Sequence, residues 1–304
     1  MKKAIVTGGT GYLGSHLIPK LEESGIKCYL INSEKFNLTN YTQAVNFFVE
    51  FPFTFDYIFH LAADTKAGDY CMTHQGDQWI SNQLINTNII RLWKNFTSDA
   101  KFIAMGTSCM YDFNLGNTYE ENILKGMPHS SLLSYAMTKR MLLIGLKAMQ
   151  DQFDMKWNMF IPSTLYGPGF KENDNHFIYD LIRKIYNFKL TGEKAVLWGN
   201  GNQMRELIYI DDAVKLIIDN KNEENQIFNL GSECVMSIKG FAQLLCDILN
   251  ISFDEAIRFD TTKYVGDKIK YLTKNSRFEK FKFTDLKFGL FETIKWFDKS
   301  LENE

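Results

Sequence analysis

The sequence lacks an apolar run of membrane length, an excess of either charge, and any close pair of cysteines. No uninterrupted stretch approaches the roughly 18 apolar residues of a membrane span. Only Ala4-Ile5-Val6 separate Met1-Lys2-Lys3 from Thr7-Gly8-Gly9, too short for the core of a signal peptide. Lys and Arg number 34 against 36 Asp and Glu, a formal net charge of −2, which argues against a nucleic-acid binder driven by bulk charge. The five cysteines, Cys28, Cys71, Cys109, Cys234 and Cys246, are odd in number and contain no Cys-x-x-Cys pair. That pattern fits neither a disulfide framework nor a zinc knuckle, and suits a reducing compartment. The expected location is the cytoplasm, with neither membrane nor nucleic acid as partner. There is no internal repeat and no low-complexity tract. What remains is an ordinary globular composition, 45% apolar and 23% charged over 304 residues, long enough for one large two-part unit.

Read for period, the first two thirds alternate short β-rich runs with longer amphipathic segments, the pattern of βαβ units around a parallel sheet. Strands are expected over 3–7, 28–31, 57–62, 101–105 and 157–161. Helices are expected over 13–23, ended by Gly25, over 41–50 behind a Thr39 or Asn40 cap, over 78–96 and over 134–152. Beyond Pro162 the texture changes to a Gly/Pro/Asn-rich stretch over 166–175. It is followed by a helix over 176–188, strands over 207–210 and 227–230 around a helix capped by Asp211-Asp212, and helices over 237–249 and 292–301. The expected fold class is α/β, a doubly wound parallel sheet with a smaller α/β C-terminal domain.

Gly8, Gly11 and Gly14 stand in a Gly-x-x-Gly-x-x-Gly register between the first strand and helix. A Gly-rich turn alone would carry the same residues. In this context they suit a tight turn, close approach to a pyrophosphate, and helix-on-strand packing. Where the second strand ends, an Asp or Glu would hold the 2′-hydroxyl of NAD and an Arg the 2′-phosphate of NADP. Leu30-Ile31-Asn32-Ser33-Glu34-Lys35 has neither signal clearly in place. Tyr135 and Lys139, four apart on one helix face, could form a proton-transfer pair in which the ammonium lowers the phenol's pKa from about 10. Thr107, just after a strand, offers a hydroxyl for the same carbonyl oxygen.

Glycine loop, hydroxyl after a strand, Tyr-x-x-x-Lys and the segment His60-Leu61-Ala62-Ala63, in order, resemble the extended short-chain dehydrogenase/reductases acting on nucleotide-sugars. The resemblance covers nearly the whole chain and implies a Rossmann-type fold. It divides the chain into a dinucleotide-binding domain over 1–165, to which 206–232 return, and a mainly nucleotide-sugar-binding domain over 166–304. Within the family the pattern is most similar to the GDP-L-fucose synthases, which epimerise GDP-4-keto-6-deoxy-mannose at C3 and C5 and reduce C4. The matching segments are 106–111, 134–139, 165–168 with Asn175-His176, 198–201 and 204–206 with Asp211-Asp212.

That resemblance implies a GDP-linked 4-keto sugar as partner, NADP or NAD as cofactor, and a homodimer through two long helices. It implies Cys109 as base and His176 as acid for inversion beside the ketone, with Tyr135, Lys139 and Thr107 serving the C4 oxygen. Thr107 stands where the family has serine. Cofactor contacts are implied at Gly8, Gly11, Tyr12, Leu13, Gly14, Asn32, Leu61, Ala62, Ala63, Lys139, Pro162, Leu165 and His176. Substrate contacts are implied at Lys184, Trp198, Arg205 and Lys270. The family's arginines after strand two are absent, which leaves NAD and NADP both open. Its nucleotide loop appears only as Tyr264-Val265-Gly266-Asp267, which suggests an altered sugar such as a 6-deoxy-heptose. The rival reading is an NAD-dependent 4-dehydrogenase or 4-epimerase without C3/C5 epimerisation. From another class, a non-catalytic NAD(P)-binding protein would typically have lost Tyr135 or Lys139.

Overall fold

The computed structural model describes residues 1–65, 70–170, 176–263, 268–273 and 275–302. In the N-terminal part the chain runs β1 (Lys2–Thr7), α1 (Tyr12–Glu23), β2 (Ile26–Ile31), α2 (Tyr41–Glu50), β3 (Tyr57–His60), α3 (Tyr70–Thr73), α4 (Gln75–Phe96), β4 (Lys101–Met105), α5 (Leu133–Phe153) and β5 (Trp157–Pro162). Then come β6 (Thr164–Tyr166), α6 (Phe177–Thr191), β7 (Ala195–Trp198), β8 (Met204–Tyr209), α7 (Ile210–Asn220) and β9 (Gln226–Leu230). The chain continues through β10 (Val235–Ser237), α8 (Ile238–Leu249), α9 (Phe253–Ala256), β11 (Ile257–Asp260), β12 (Ile269–Lys270) and α10 (Leu286–Glu302).

Six parallel strands form the main sheet in the order β2-β1-β3-β4-β5-β9. Both faces are covered, and β1 shows how. Ile5 joins a core with Phe47 of α2, Trp93 of α4 and Leu143 of α5, while Ala4 and Val6 point to the other face, onto Leu17 of α1 and Ile217 of α7. Alternate side chains of a strand face opposite sides, so a near-continuous apolar strand is what a doubly covered sheet needs. A third core gathers α6, α8, α10 and β8 through Ile182, Leu245, Leu290 and Leu207. It supports a smaller mixed sheet, β10-β8-β12 with β6 on β8, and a separate β11-β7 pair.

Element ends follow local chemistry. Asn40 caps α2 by accepting from the Gln43 N–H, and Gly25, at φ +78°, follows α1 in the left-handed region that glycine adopts freely. Three expectations need correction. β3 stops at His60 instead of 62, because the Ala62 N–H turns to the Thr7 hydroxyl at 3.1 Å. α7 starts at Ile210 behind Tyr209, with no side-chain cap. Asp211 instead bonds His16 at 3.2 Å, and Asp212 accepts from the backbone and hydroxyl of Thr284 at 2.7 and 3.0 Å. α10 begins at Leu286, six residues earlier than the apolar pattern indicated, where Asp285 accepts from the Phe288 N–H at 3.0 Å. Asn175 and residues 264–267 lie outside the described residues. No helix among the described residues is long and apolar enough to cross a membrane.

Candidate active site

The strand order reverses between β1 and β3, whose last residues Thr7 and His60 are register partners. A crevice at the carboxyl ends of the strands is expected at such a switch point. The glycine loop leaves β1 there. Gly8 sits at φ +68°, and a Cβ on it would come within 2.7 Å of the Ala62 nitrogen, so the loop closes on the end of β3 only as glycine. A Cβ on Gly14 would meet the Gly9 carbonyl at 2.5 Å. Helix α1 then opens with Gly11 as its cap residue, no side-chain acceptor and no acidic residue in the first turn. The N–H groups of Tyr12, Leu13 and Gly14 therefore face outward with the positive end of the helix dipole, which suits a pyrophosphate. The Tyr12 ring itself packs edge-on against Tyr179 and His16, so its contribution to a cofactor would come from backbone.

Behind the loop runs a buried polar chain through Thr7, His60, Asn86 and Thr138, of which sequence reasoning used His60 only as part of a family segment. His60 is fully buried, with Nδ1 2.8 Å from the Thr7 hydroxyl and Nε2 3.0 Å from Asn86 Oδ1. The Asn86 amide nitrogen donates to the Thr138 carbonyl at 3.2 Å, so its oxygen accepts, and His60 carries its proton on Nε2. The Thr7 hydroxyl, which accepts from Ala62, then donates to Nδ1. This arrangement needs a neutral imidazole. Burial, assisted by the charge of Lys139, holds His60 down to about 3. Lys139 is 2% exposed and has no hydrogen-bond acceptor among the described residues. Burial lowers its ammonium to about 8. A buried cation lacking acceptors fits the hydroxyl groups of a nucleotide ribose.

Tyr135, one turn before Lys139 on α5, is half-buried. The expected lowering of its phenol does not occur in this structure. Burial pushes it up, Cys109 adds to that, and a hydrogen bond from Thr65 only partly opposes them. Thr65 carried no sequence signal beyond its place after β3. Cys109 lies in a short 3₁₀ turn after β4, and its N–H donates to the Thr107 hydroxyl at 3.4 Å. That leaves the hydroxyl proton of Thr107 available to a ligand. Arg140, next to Lys139, fixes the turn by donating to the carbonyls of Met110, Gly126 and Lys125. Lys270, expected among the substrate contacts, places its ammonium 3.0 Å from the Cys109 sulfur.

The structure thus brings Thr107, Cys109, Tyr135 and Lys270 together, with Lys139 beneath Tyr135 on the same helix. Pro162 and Leu165 lie on either side of Ser163-Thr164, and the buried Ser163 hydroxyl has no partner among the described residues. His176 precedes α6 as its cap residue in extended backbone and is exposed. Lys184 pairs with Asp180 one turn earlier at 2.7 Å, and Arg205 donates to the Met204 carbonyl at 2.8 Å. Trp198 closes β7 with its side chain 45% exposed, enough for a planar ring to stack. Near the end of β2, Asn32 accepts from the Lys35 N–H at 2.9 Å and Lys35 pairs with Glu50 at 2.6 Å.

Burying Lys139 has a measurable consequence. The folded state holds its proton only to about pH 8, the unfolded chain to about 10.5. Between those values the unfolded state binds more protons, so stability rises with pH there. The penalty below pH 8 is about 3 kcal/mol. Lys139→Met should raise the urea midpoint at pH 7, lose that advantage by about pH 10.5, and weaken binding of reduced nicotinamide cofactor. Equal midpoints at pH 7 would remove the uncompensated cation.

The chain matches the model of the NAD dependent epimerase/dehydratase family over residues 4–231. It is similar to a GDP-L-fucose synthase of Dictyostelium discoideum, 25% identical over 99% of this chain and 97% of that protein. It is also similar to a GDP-L-colitose synthase of Yersinia pseudotuberculosis, 25% identical over 99% of this chain and all of that one. Among solved structures, a GDP-L-fucose synthetase from Naegleria fowleri bound to NADP superimposes with a TM-score of 0.83 at 25% identity, covering 99% of this chain and 95% of that one. The match reaches from the glycine loop through the Tyr135–Lys139 helix to the last strand of the main sheet, and the chain belongs to the NAD dependent epimerase/dehydratase family.

Proposed function

We propose that the chain is an NAD(P)-dependent epimerase/reductase of a GDP-linked 4-keto-6-deoxy sugar, a hexose or heptose. The observation that carries this is the cluster of a thiol, a hydroxyl and a half-buried phenol, Cys109, Thr107 and Tyr135, at the carboxyl edge of the sheet beside the glycine loop. Hydrogens beside a ketone are acidic because the carbonyl oxygen can hold the charge as an enolate. Cys109 removes one, and His176 returns a proton on the opposite face. The Thr107 hydroxyl and the Tyr135 phenol donate to the C4 oxygen while charge sits there, the role of an oxyanion hole. A bound nicotinamide cofactor supplies the hydride that reduces C4. Tyr135, kept protonated by burial, then gives its proton to the C4 oxygen, and the Lys139 ammonium stabilises the phenolate left behind.

Trp198 offers its indole face to the guanine, and Arg205 with Lys184 meets the diphosphate. Residues 1–165 with 206–232 carry the cofactor, and 166–304 most of the nucleotide-sugar. Asn32 bonds within its own loop and Lys35 pairs with Glu50 at the end of α2, so neither is committed to the adenosine ribose, and the cofactor is NADP or NAD. A cytoplasmic site of action agrees with five cysteines that form no disulfide among the described residues.

Tyr135→Phe keeps the ring and removes only the proton donor. With GDP-4-keto-6-deoxy-mannose, oxidation of reduced cofactor should fall by about 10²–10⁴-fold while cofactor fluorescence still reports binding. Full activity in that variant would overturn the reductase reading. Trp79, Ile80 and Leu84 on α4 and Met141 and Ile144 on α5 are exposed apolar side chains on neighbouring helices. They suit a homodimer, for which light scattering should give twice the 35.3 kDa chain mass. A species of chain mass at working concentration would contradict it.

A further inference from the structure

We propose that Lys270 is the positioning residue for the base of epimerisation, its ammonium holding Cys109 as the thiolate. The proposal rests on Cys109 being that base. The Lys270 nitrogen lies 3.0 Å from the sulfur. A neutral thiol is a weak acceptor, whereas a thiolate is stabilised by a neighbouring lysine and is the reactive form. Among the described residues no carboxylate pairs with Lys270, so none of them competes with the sulfur for its charge. Among the described residues, titratable groups beside the pair include Tyr135 on α5 and, next to Lys270 in register on β8, Arg205.

The contact is built, since the chain around Lys270 is held on both sides. Lys268 accepts from the Met204 N–H at 2.8 Å, and the Leu272 N–H donates to buried Glu206 at 2.9 Å. Thr118 and Thr273 bond each other twice between backbone N–H and hydroxyl, at 2.6 and 3.2 Å. Leu272 packs in the same core as Met110 and Tyr111, which follow Cys109 directly. Lys270 therefore arrives at the sulfur from a clamped strand.

In the step itself the C–H bond beside the ketone breaks and its proton goes to Sγ. The electron pair passes into the enolate, whose oxygen faces Thr107 and Tyr135. Lys270 keeps its own proton throughout, and nothing is oxidised or reduced. The anionic sulfur has a second effect, because it helps hold the neighbouring phenol protonated, ready to donate to the C4 oxygen.

Iodoacetamide alkylation of the full chain without sugar, with Cys109 quantified by peptide mass, tests this independently of epimerase activity. Wild-type Cys109 should react at pH 7 at least about tenfold faster than an ordinary thiol and vary little between pH 7 and 9. Lys270→Met should lower the pH 7 rate about tenfold and restore a steep rise toward pH 9, and Lys270→Arg should recover most of the wild-type profile. An ordinary thiol profile in the wild type overturns the proposal without any variant, as does a Lys270→Met profile equal to wild type. Should alkylation behave as expected while the enzyme fails to exchange substrate hydrogens with solvent, the Lys270 pairing stands and the epimerase reading falls.

Discussion

A lysine ammonium buried where no described residue accepts from it is the constraint on which this site depends. Lys139 lies at the heart of an α/β fold, and its charge helps burial keep the imidazole of His60 neutral. His60 cannot gain a proton on Nδ1 without breaking the bond it accepts there from Thr7, while the one it donates to Asn86 holds the ring in place. Those two bonds span β1, β3 and α4, and Asn86 extends the chain to the carbonyl of Thr138 on α5. The polar chain thus fixes Tyr135 and Lys139 relative to the glycine loop through contacts that water cannot reach. Leaving the cation uncompensated destabilises the free protein, and a ligand bearing hydroxyls offsets that cost on binding.

Two reactions on one sugar can share this arrangement because both place charge on the same oxygen. Removing a proton beside the ketone makes an enolate, and delivering hydride to C4 makes an alkoxide. Thr107 keeps a hydroxyl proton free because its oxygen already accepts from the Cys109 backbone. Tyr135 stays protonated because its surroundings disfavour the phenolate. The distinction between the reactions lies elsewhere, in whether Cys109 is reactive enough to act as a base before hydride arrives.

Much of the fold was legible because its signals are local. Alternating apolar runs located the strands of the main sheet to within a few residues, and the glycine register and Tyr135–Lys139 spacing announced the cofactor edge. What stayed hidden depended on distant partners. Asp211 and Asp212 look like helix caps until His16 and Thr284 claim them. Lys270 and Cys109 are 161 positions apart, and no periodicity relates them. Spacing also placed Lys139 one turn from Tyr135 and so suggested a lowered phenol pKa, yet spacing says nothing of burial, which decides the sign. His60 stood in a familiar segment, but its role as a neutral link needs the side chains of Thr7 and Asn86 in space.

The central claim is that one enolate-stabilising site both epimerises and reduces. Mass-spectrometric measurement of deuterium uptake from heavy water by GDP-4-keto-6-deoxy-mannose, incubated with the enzyme before any reduced cofactor is added, tests it most directly. Uptake at C3, C5 or both, lost in Cys109→Ser because an alcohol is a far weaker base than a thiolate, is the expected result. No uptake by an enzyme that nonetheless oxidises or reduces C4 of the same sugar nucleotide would contradict the claim and leave a plain C4 oxidoreductase.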